Sequence, residues 1–210
     1  MSGDGRPVVC FDLGGVVVRI CRSWEEGCAA AGIEVREIER YRETHPERVK
    51  LVQTLDTGGI EPDAFYRAIS DTLDGVYTPE EVRQVHHAWL LGEYPGVEEL
   101  LTDLRERDGV RTACLSNTNH DHWVAMESYP TLQALEHRHA SHLLGLRKPN
   151  ESCFIAFERA MEASPGQIIF FDDTEENIEA ARARGWRAEL IDHTGDTAAQ
   201  VMEHLRGVVV

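Results

Sequence analysis

Short apolar runs alternate with amphipathic segments along most of the chain. Amphipathic segments predict helices over Gly96–Arg107, Asn150–Ala163 and Thr174–Arg184. Strands that alternate with helices predict βαβ units and a parallel sheet of five or six strands with helices on both faces. The apolar runs that we interpret as strands are Val8–Phe11, Arg111–Ser116, a weaker one at Ala140–Leu144, Gln167–Phe171 and Arg187–Ile191.

The segment Ser23–Tyr94 breaks this alternation, since it has helical patterns and no convincing strand. Ser23 is a suitable N-cap for a helix that reaches Ala31, and T-P-E-E at Thr78–Glu81 is a capping box. D-T-G-G at Asp56–Gly59 predicts a turn between helices. We therefore expect an α/β core, residues 1–18 and 95–210, that carries an all-helical insert at residues 19–94.

The charge balance narrows the class of partner. The 210 residues include 21 basic and 37 acidic side chains, a formal net charge of −16. Nucleic-acid backbones and anionic membranes repel such a chain, so we expect neither as a partner. Five irregularly spaced cysteines without a C-x-x-C motif indicate a reducing compartment, and we expect a cytoplasmic protein. We see no signal peptide and no apolar run long enough to span a bilayer.

Polar side chains follow the predicted strands. Ligands of open α/β sheets bind outside the carboxyl ends of the strands, so residues at these ends converge on one rim. The positions concerned are Asp12 after the first strand, Ser116 and Asn117 after the second, Arg147, Lys148 and Pro149 beyond the third, and Asp172 and Asp173 after the fourth.

This set of side chains suits phosphoryl transfer. Carboxylates gathered at one point repel each other unless a cation joins them, and hard oxygen donors favour Mg²⁺. Lys148 adds a positive charge, and Ser116 can donate to a phosphoryl oxygen. Positioning and charge neutralisation are the main requirements of the reaction, and an Asp can act as nucleophile through an aspartyl-phosphate.

Four short motifs contain these polar residues. They are F-D-L-G-G-V at Phe11–Val16, L-S-N-T-N at Leu115–Asn119, Lys148 in G-L-R-K-P, and F-F-D-D-T-E-E-N at Phe170–Asn177. In this order they resemble the haloacid dehalogenase (HAD) superfamily, subfamily IA variant 3, a group that includes glucose-1-phosphate phosphatases and resembles the N-terminal phosphatase domain of soluble epoxide hydrolase. The resemblance runs from Val8 to about Asp192 and implies a HAD-like Rossmannoid sheet with a helical cap inserted after the first strand.

The resemblance implies a magnesium site and a nucleophile. Asp12 would be the nucleophile and a metal ligand, and the backbone carbonyl of Gly14 a second ligand. Asp173 would be the direct acidic ligand from the fourth motif. Asp172 would hold a metal-bound water or Lys148.

The resemblance also implies how the substrate is held. Ser116 and Asn117 would bind the phosphoryl group, and Lys148 would stabilise the nucleophile and the transferring charge. The expected partner is a small phosphate ester, with a sugar 1-phosphate as one possibility, and the protein is either a monomer or a homodimer. Arg147 or Arg19 could add local attraction for an anion.

Gly14 departs from the pattern of most phosphatases in this superfamily. They have a second Asp at this position, which protonates the leaving group and then activates water. General acid–base catalysis is usually worth about 10²–10⁴-fold in rate. Either the substrate has a good leaving group, such as an anomeric oxygen, or another acid replaces the Asp. His120 and His122 follow the second motif, and His86 and His87 lie in the predicted cap.

Two further classes stay open. A 2-haloacid dehalogenase also lacks the second Asp, but it needs no metal and leaves the Asp172–Asp173 pair without a purpose. A non-catalytic HAD fold used for binding would explain Gly14, although the other motif positions are intact. Specificity would come from cap side chains, among which Trp24 and Tyr41 could line the substrate pocket.

Overall fold

The computed structural model describes residues 5–107 and 109–206. A 3₁₀ helix covers Pro165–Gln167. In chain order the other elements are β1 (Val8–Phe11), β2 (Val18–Ile20), α1 (Trp24–Ala31), α2 (His45–Asp56), α3 (Pro62–Thr72), α4 (Pro79–His87), β3 (Leu90–Glu93), α5 (Val97–Arg105), β4 (Arg111–Ser116), α6 (His120–Met126), α7 (Pro130–Ala134), β5 (His137–Ala140), α8 (Ser141–Leu144), α9 (Glu151–Ala160), β6 (Ile168–Asp172), α10 (Glu175–Ala183), β7 (Arg187–Leu190) and α11 (Thr197–Leu205).

Five strands form one parallel sheet in the order β5-β4-β1-β6-β7, with β1 at the centre. All residues of β1, β4 and β6 are buried, which agrees with their nearly continuous apolar sequences. Phe11 of β1 is in register with Cys114 of β4 and Phe171 of β6. The carboxyl ends of these three strands therefore lie side by side.

Helices cover both faces of the sheet, which confirms the expected α/β class. On one face α5 and α11 enclose a core that includes Leu101 and Val201. On the other face α9 and α10 enclose a core that includes Phe154, Phe157 and Ile178. Burial of these apolar side chains on both faces stabilises the sheet, at about 25 cal/mol per Å² of apolar surface.

Helices α1 to α4 form a separate hydrophobic cluster, which contains Phe65, Tyr77 and Val85. The local signals read from the sequence are confirmed at its helix ends. Ser23 accepts from the Glu26 amide at the start of α1, and Thr78 begins α4 with a complete capping box. We call α1–α4 the helical layer.

Two expectations about strands are wrong. The third core strand is His137–Ala140, and Ala140–Leu144 is mostly the short helix α8, which ends at Gly145 in a left-handed conformation. The segment before Tyr94 also contains a strand, since β3 pairs with β2 in a two-stranded antiparallel sheet. This pair lies where the chain enters and leaves the helical layer.

Within the described parts of the chain, none of the helices has both the length and the apolar character to cross a bilayer.

Candidate active site

Lys148 lies between two carboxylates at the carboxyl ends of β1 and β6. Its ammonium Nζ is 3.0 Å from Asp12 Oδ1 and 2.6 Å from Asp172 Oδ2, and it is completely buried. The register places Asp12 beside Asp172, because the Asp12 amide donates to the Phe171 carbonyl at 2.8 Å. One cation thus neutralises part of a buried acidic pair.

Burial and neighbouring charges shift the pKa values of this group. Burial raises the pKa of the Asp12 carboxyl to about 7; Lys148 opposes this, and Asp172 and Asp173 add to it. For Lys148 burial acts in the other direction, but the two carboxylates outweigh it and raise the pKa of the ammonium above its ordinary value. The site therefore holds an excess of negative charge that a further cation would relieve.

Asp172 has little capacity left for a metal. Its Oδ1 accepts from the Thr174 amide at 2.8 Å and from Asn177 Nδ2 at 3.1 Å, while Oδ2 accepts from Lys148 and from Asn177 Nδ2 at 3.0 Å. The carboxylate holds Lys148 and begins the turn into α10. Asn177 was part of the fourth motif, but its bonding to Asp172 was not foreseen.

Asp173 is the third carboxylate of the group, and it contacts Arg22 and Gly15 rather than Lys148. Arg22 Nη1 forms an ion pair with its Oδ2 at 2.7 Å. Gly15 lies directly beneath it with φ +81°, and a Cβ added to Gly15 would lie 2.2 Å from Asp173 Oδ2. A side chain at this glycine would therefore exclude the carboxylate from its position.

Oxygen atoms of Asp12, Asp172 and Asp173 all lie within 4.8 Å of one another. This separation and the donor type suit a hard divalent cation held by Asp12 and Asp173. The absence of a side chain at Gly15 agrees with the same assignment, because it lets the Asp173 carboxylate lie close to the backbone of the turn that follows Asp12. Gly14 lies in the same turn, with an isolated bridge to Val18.

Ser116 ends β4 and Asn117 follows it on the same rim, but only one of the two side chains is free to contact a ligand. Ser116 is a buried residue that lines the cavity, and its hydroxyl makes no hydrogen bond within residues 5–107 and 109–206. Asn117 Nδ2 instead donates to the Lys148 carbonyl, and its Oδ1 accepts from the Lys148 amide, both at 2.9 Å. The side chain of Asn117 is thus committed to positioning Lys148, and a phosphate contact from this residue would have to use its backbone.

A cavity of about 500 Å³ lies between this rim and the helical layer. Leu13, Gly14, Ser116 and Asn117 line its rim end, and Arg147 is also on its wall. The opposite wall comes from the helical layer and includes Trp24 of α1 and Tyr41 of the segment between α1 and α2, the two aromatic residues for which the sequence left pocket lining as one possibility. Arg19 is not among its lining residues; its Nη2 donates to the Leu91 carbonyl at 3.0 Å.

The histidines beside the cavity form a neutral packed pair. His86 of α4 and His122 of α6 stack with ring centroids 4.1 Å apart. His122 Nε2 lies 2.7 Å from the His86 carbonyl, to which it must donate, and its Nδ1 faces Asn119 Nδ2 at 3.3 Å. Burial lowers the pKa of both rings. Neither is placed as a free acid, and His120 is exposed.

Asp56 was missed as a site residue, since the sequence showed it only in a turn. It ends α2, is buried and lines the cavity. Burial raises the pKa of its carboxyl to about 6, while Arg147 and a hydrogen bond from Asn119 act against the shift. In the sequence Asp56 is only the first residue of D-T-G-G, a pattern that predicts a turn and gives no indication that its carboxyl group lines a cavity.

The sheet order and the acidic cluster at the strand ends define an α/β protein with a carboxylate-based site. A family model for haloacid dehalogenase-like hydrolases matches residues 7–185, and the chain belongs to that family. It is an enzyme of the hydrolase class by that membership. The resemblance noted in the sequence is confirmed.

Relatives of known sequence or structure agree with this assignment. The chain is 28% identical over 208 residues to phosphatase MT3486 of Mycobacterium tuberculosis, with 94% of this chain and 92% of the relative covered. The HAD family enzyme BT-2542 of Bacteroides thetaiotaomicron, solved with magnesium and inorganic phosphate, superposes with a TM-score of 0.73 at 22% identity, covering 91% of this chain and 97% of that one.

A dehalogenase shares the fold more distantly. L-2-haloacid dehalogenase from Xanthobacter autotrophicus, with chloropropionic acid covalently bound, has a TM-score of 0.63 at 15% identity, covering 98% of this chain and 84% of that one. At this identity the likeness concerns the fold alone.

Proposed function

We propose that the protein is a Mg²⁺-dependent phosphatase that hydrolyses a small phosphate monoester through an aspartyl-phosphate on Asp12. The observation that carries the proposal is the cluster of Asp12, Asp172 and Asp173 within 4.8 Å, with buried Lys148 between the first two. The phosphatase relative and the magnesium and phosphate in the BT-2542 structure support it.

In the proposed reaction a carboxylate oxygen of Asp12 attacks phosphorus, and the ester P–O bond breaks with its electron pair going to the leaving oxygen. Lys148 and Ser116 stabilise the charge on the phosphoryl oxygens. Water then attacks phosphorus, and the bond to Asp12 breaks to release phosphate. Mg²⁺, held by Asp12, Asp173 and the Gly14 carbonyl, would offset the negative charge of nucleophile and substrate.

The helical layer is proposed to act as the cap of the site, with boundaries at residues 19–94. It covers the cavity at the strand ends and would keep bulk water from the aspartyl-phosphate during transfer. The β2–β3 pair carries the chain in both directions between the layer and the sheet. A cytoplasmic location is part of the proposal, supported by five free cysteines that are all buried.

The test is hydrolysis of p-nitrophenyl phosphate, whose leaving group needs no acid. We expect turnover that requires Mg²⁺, is abolished by EDTA and is lost in Asp12→Asn. The matched control is Asp103→Asn, an exposed Asp on α5 that should leave the rate unchanged. Acid-quenched protein should carry a phosphoryl group on the peptide that contains Asp12.

The same assay separates the alternatives. Turnover of 2-chloropropionate without Mg²⁺, and none of the phosphate ester, would identify a dehalogenase. No reaction with either substrate, or with a broad panel of phosphate esters, would favour a binding protein. Equal activity of Asp12→Asn and wild type would contradict the proposed nucleophile.

A further inference from the structure

The walls of the cavity suggest which ester the site accepts. The space of about 500 Å³ is large enough for a small organic molecule. Ser116 and Asn117 lie at its rim end, so a phosphoryl group held at the rim would direct the rest of the ester into the cavity. From the wall chemistry we infer that this part is apolar, an aromatic or alkyl-aromatic alcohol, and not a sugar. The inference rests on the proposed phosphatase function.

Helix α2 presents apolar side chains to the cavity that are open to solvent. Val49 and Val52 line it and are 39% and 44% exposed. Phe65, Trp24 and Trp89 add aromatic surface from the other helices of the layer and the segment that follows it. An apolar group in the cavity would remove these side chains from water, which favours binding in proportion to the area covered.

The polar groups on the walls are largely engaged with each other. Arg48 donates to the Thr44 hydroxyl and the Tyr41 carbonyl. The side chain of Asn119 bonds His122 and His86. The exposed side chains of His45 and Gln53 also line the cavity and make no hydrogen bond among the described residues. A sugar would lose water from more hydroxyls than these two side chains can replace, which is unfavourable. An apolar group has no such requirement.

Four charged side chains line the cavity, and each interacts with another group of the protein. Asp56 and Arg147 offset each other electrostatically. Arg22 forms its ion pair with Asp173, and the guanidinium of Arg48 lies over the Tyr41 ring. None of these charges therefore requires a polar substrate as its partner.

The absence of a side-chain acid at Gly14 leads to the same class of substrate by an independent route. A phenolate leaves with the P–O electron pair and takes its proton from water afterwards, so it depends less on an acid than an alkoxide does. An aryl phosphate combines this property with an apolar body that matches the cavity.

The experiment compares phenyl, 4-ethylphenyl and 4-butylphenyl phosphate, whose phenol pKa values are nearly equal. We expect kcat/KM to rise about fourfold per methylene, and glucose 1-phosphate to be a poor substrate. In the double variant Val49→Thr/Val52→Thr, kcat/KM for the butyl compound should fall about tenfold, with the phenyl ester little changed. Val35→Thr is the matched control, because Val35 is 51% exposed and does not line this cavity.

A second measurement does not depend on turnover. Calorimetry with phenylphosphonate and 4-butylphenylphosphonate in the presence of Mg²⁺ should show tighter binding of the butyl compound to wild type and Val35→Thr, and a smaller difference in Val49→Thr/Val52→Thr. If p-nitrophenyl phosphate is not hydrolysed, the proposed function fails. The binding result still shows whether the cavity prefers an apolar group. If p-nitrophenyl phosphate is hydrolysed but neither rate nor affinity rises with chain length, only the apolar-substrate inference is overturned.

Discussion

Lys148 is one of two lysines in the chain, and the two lie in opposite environments. Lys148 is fully buried between Asp12 and Asp172, whereas Lys50 is exposed on α2. Removal of a buried ion's partner leaves an uncompensated charge, which costs about 3–5 kcal/mol. Lys148→Met should therefore lower the free energy of unfolding by this order and abolish phosphatase activity, as measured by urea titration and p-nitrophenyl phosphate turnover.

The control for this prediction is Lys50→Met, which makes the same chemical change at an exposed position. It should change the free energy of unfolding by less than about 0.5 kcal/mol. A Lys148→Met protein as stable as Lys50→Met would contradict the view that the ammonium holds the two carboxylates together.

Gly14 can be tested as the vacant position of a general acid. Its backbone does not have a positive φ, and a Cβ there would meet only the flexible end of Ile20, at 3.0 Å from Cδ1. Gly14→Asp combined with Ile20→Val should therefore fold. We expect it to raise kcat for ethyl phosphate by about 10²-fold or more, with little change for p-nitrophenyl phosphate.

The control is Gly15→Asp, at the adjacent glycine. Here φ is +81° and the added Cβ would displace the Asp173 carboxylate, so activity toward both esters should be lost. Parallel gains with both esters in Gly14→Asp would show that the new carboxylate does not act on the leaving group.

The sequence predicted the position of some site residues and not of others. Asp12, Ser116 and Asp173 follow strands, and parallel strands bring their carboxyl ends to one edge, so their convergence was predictable. Arg22 precedes α1 and Asp56 ends α2. They reach the site only because the helical layer lies over the sheet, and this placement depends on tertiary packing that no local pattern contains.

At the scale of elements, the weakest prediction concerned the edge of the sheet. β5 reads H-R-H-A, and its first two residues are exposed because it pairs with β4 on one side only. An edge strand of this kind lacks the apolar run by which the central strands were recognised. The more apolar neighbouring segment, Ala140–Leu144, was chosen instead, although it lies mostly in α8.

The contact between α4 and α6 contains the stacked His86–His122 pair and is sensitive to pH. Both pKa values are lowered by burial from an ordinary 6.5, so the folded protein keeps the rings neutral at a pH where the unfolded chain protonates them. Their stabilising effect is complete above pH 6.5 and is lost as pH falls below it, by up to about 1.4 kcal/mol per pH unit for each ring. Unfolding titrations from pH 7.5 to 5 should show a steeper loss in wild type than in His86→Gln/His122→Gln.

Other titratable groups near this contact also change stability with pH. Burial raises the pKa of Asp56 to about 6, so this carboxyl group stabilises the folded protein as pH falls, which is opposite to the effect of the histidines. Only the difference between the variants therefore isolates the effect of the two rings. His87, near Asp121 at 3.5 Å, and Tyr66 also face this contact. His137→Gln, at an exposed position of β5, is the matched control and should retain the wild-type slope. Equal slopes in all three proteins would contradict the prediction.

At the scale of the whole molecule, Arg22 connects the segment that leads into the helical layer with the proposed metal site at the edge of the sheet. It precedes α1, and its guanidinium forms the 2.7 Å ion pair with Asp173. A cation held by Asp12 and Asp173 would share this carboxylate with a positive charge already in contact with it. The guanidinium of Arg22 and the cation are both positive and repel each other, so they compete for the Asp173 carboxylate.

Arg22→Gln should therefore raise the affinity for Mg²⁺. Removal of one positive charge next to a ligand is worth on the order of 1 kcal/mol near a solvated surface, or about a fivefold lower Kd, and the effect should diminish at high salt. Calorimetric titration of Mg²⁺ without substrate measures it. Arg19→Gln is the control, since Arg19 bonds the Leu91 carbonyl and forms no ion pair with Asp173 among the described residues. If Arg22→Gln binds Mg²⁺ more weakly than Arg19→Gln, Arg22 supports the ligand geometry of Asp173, and the competition between layer and metal is wrong.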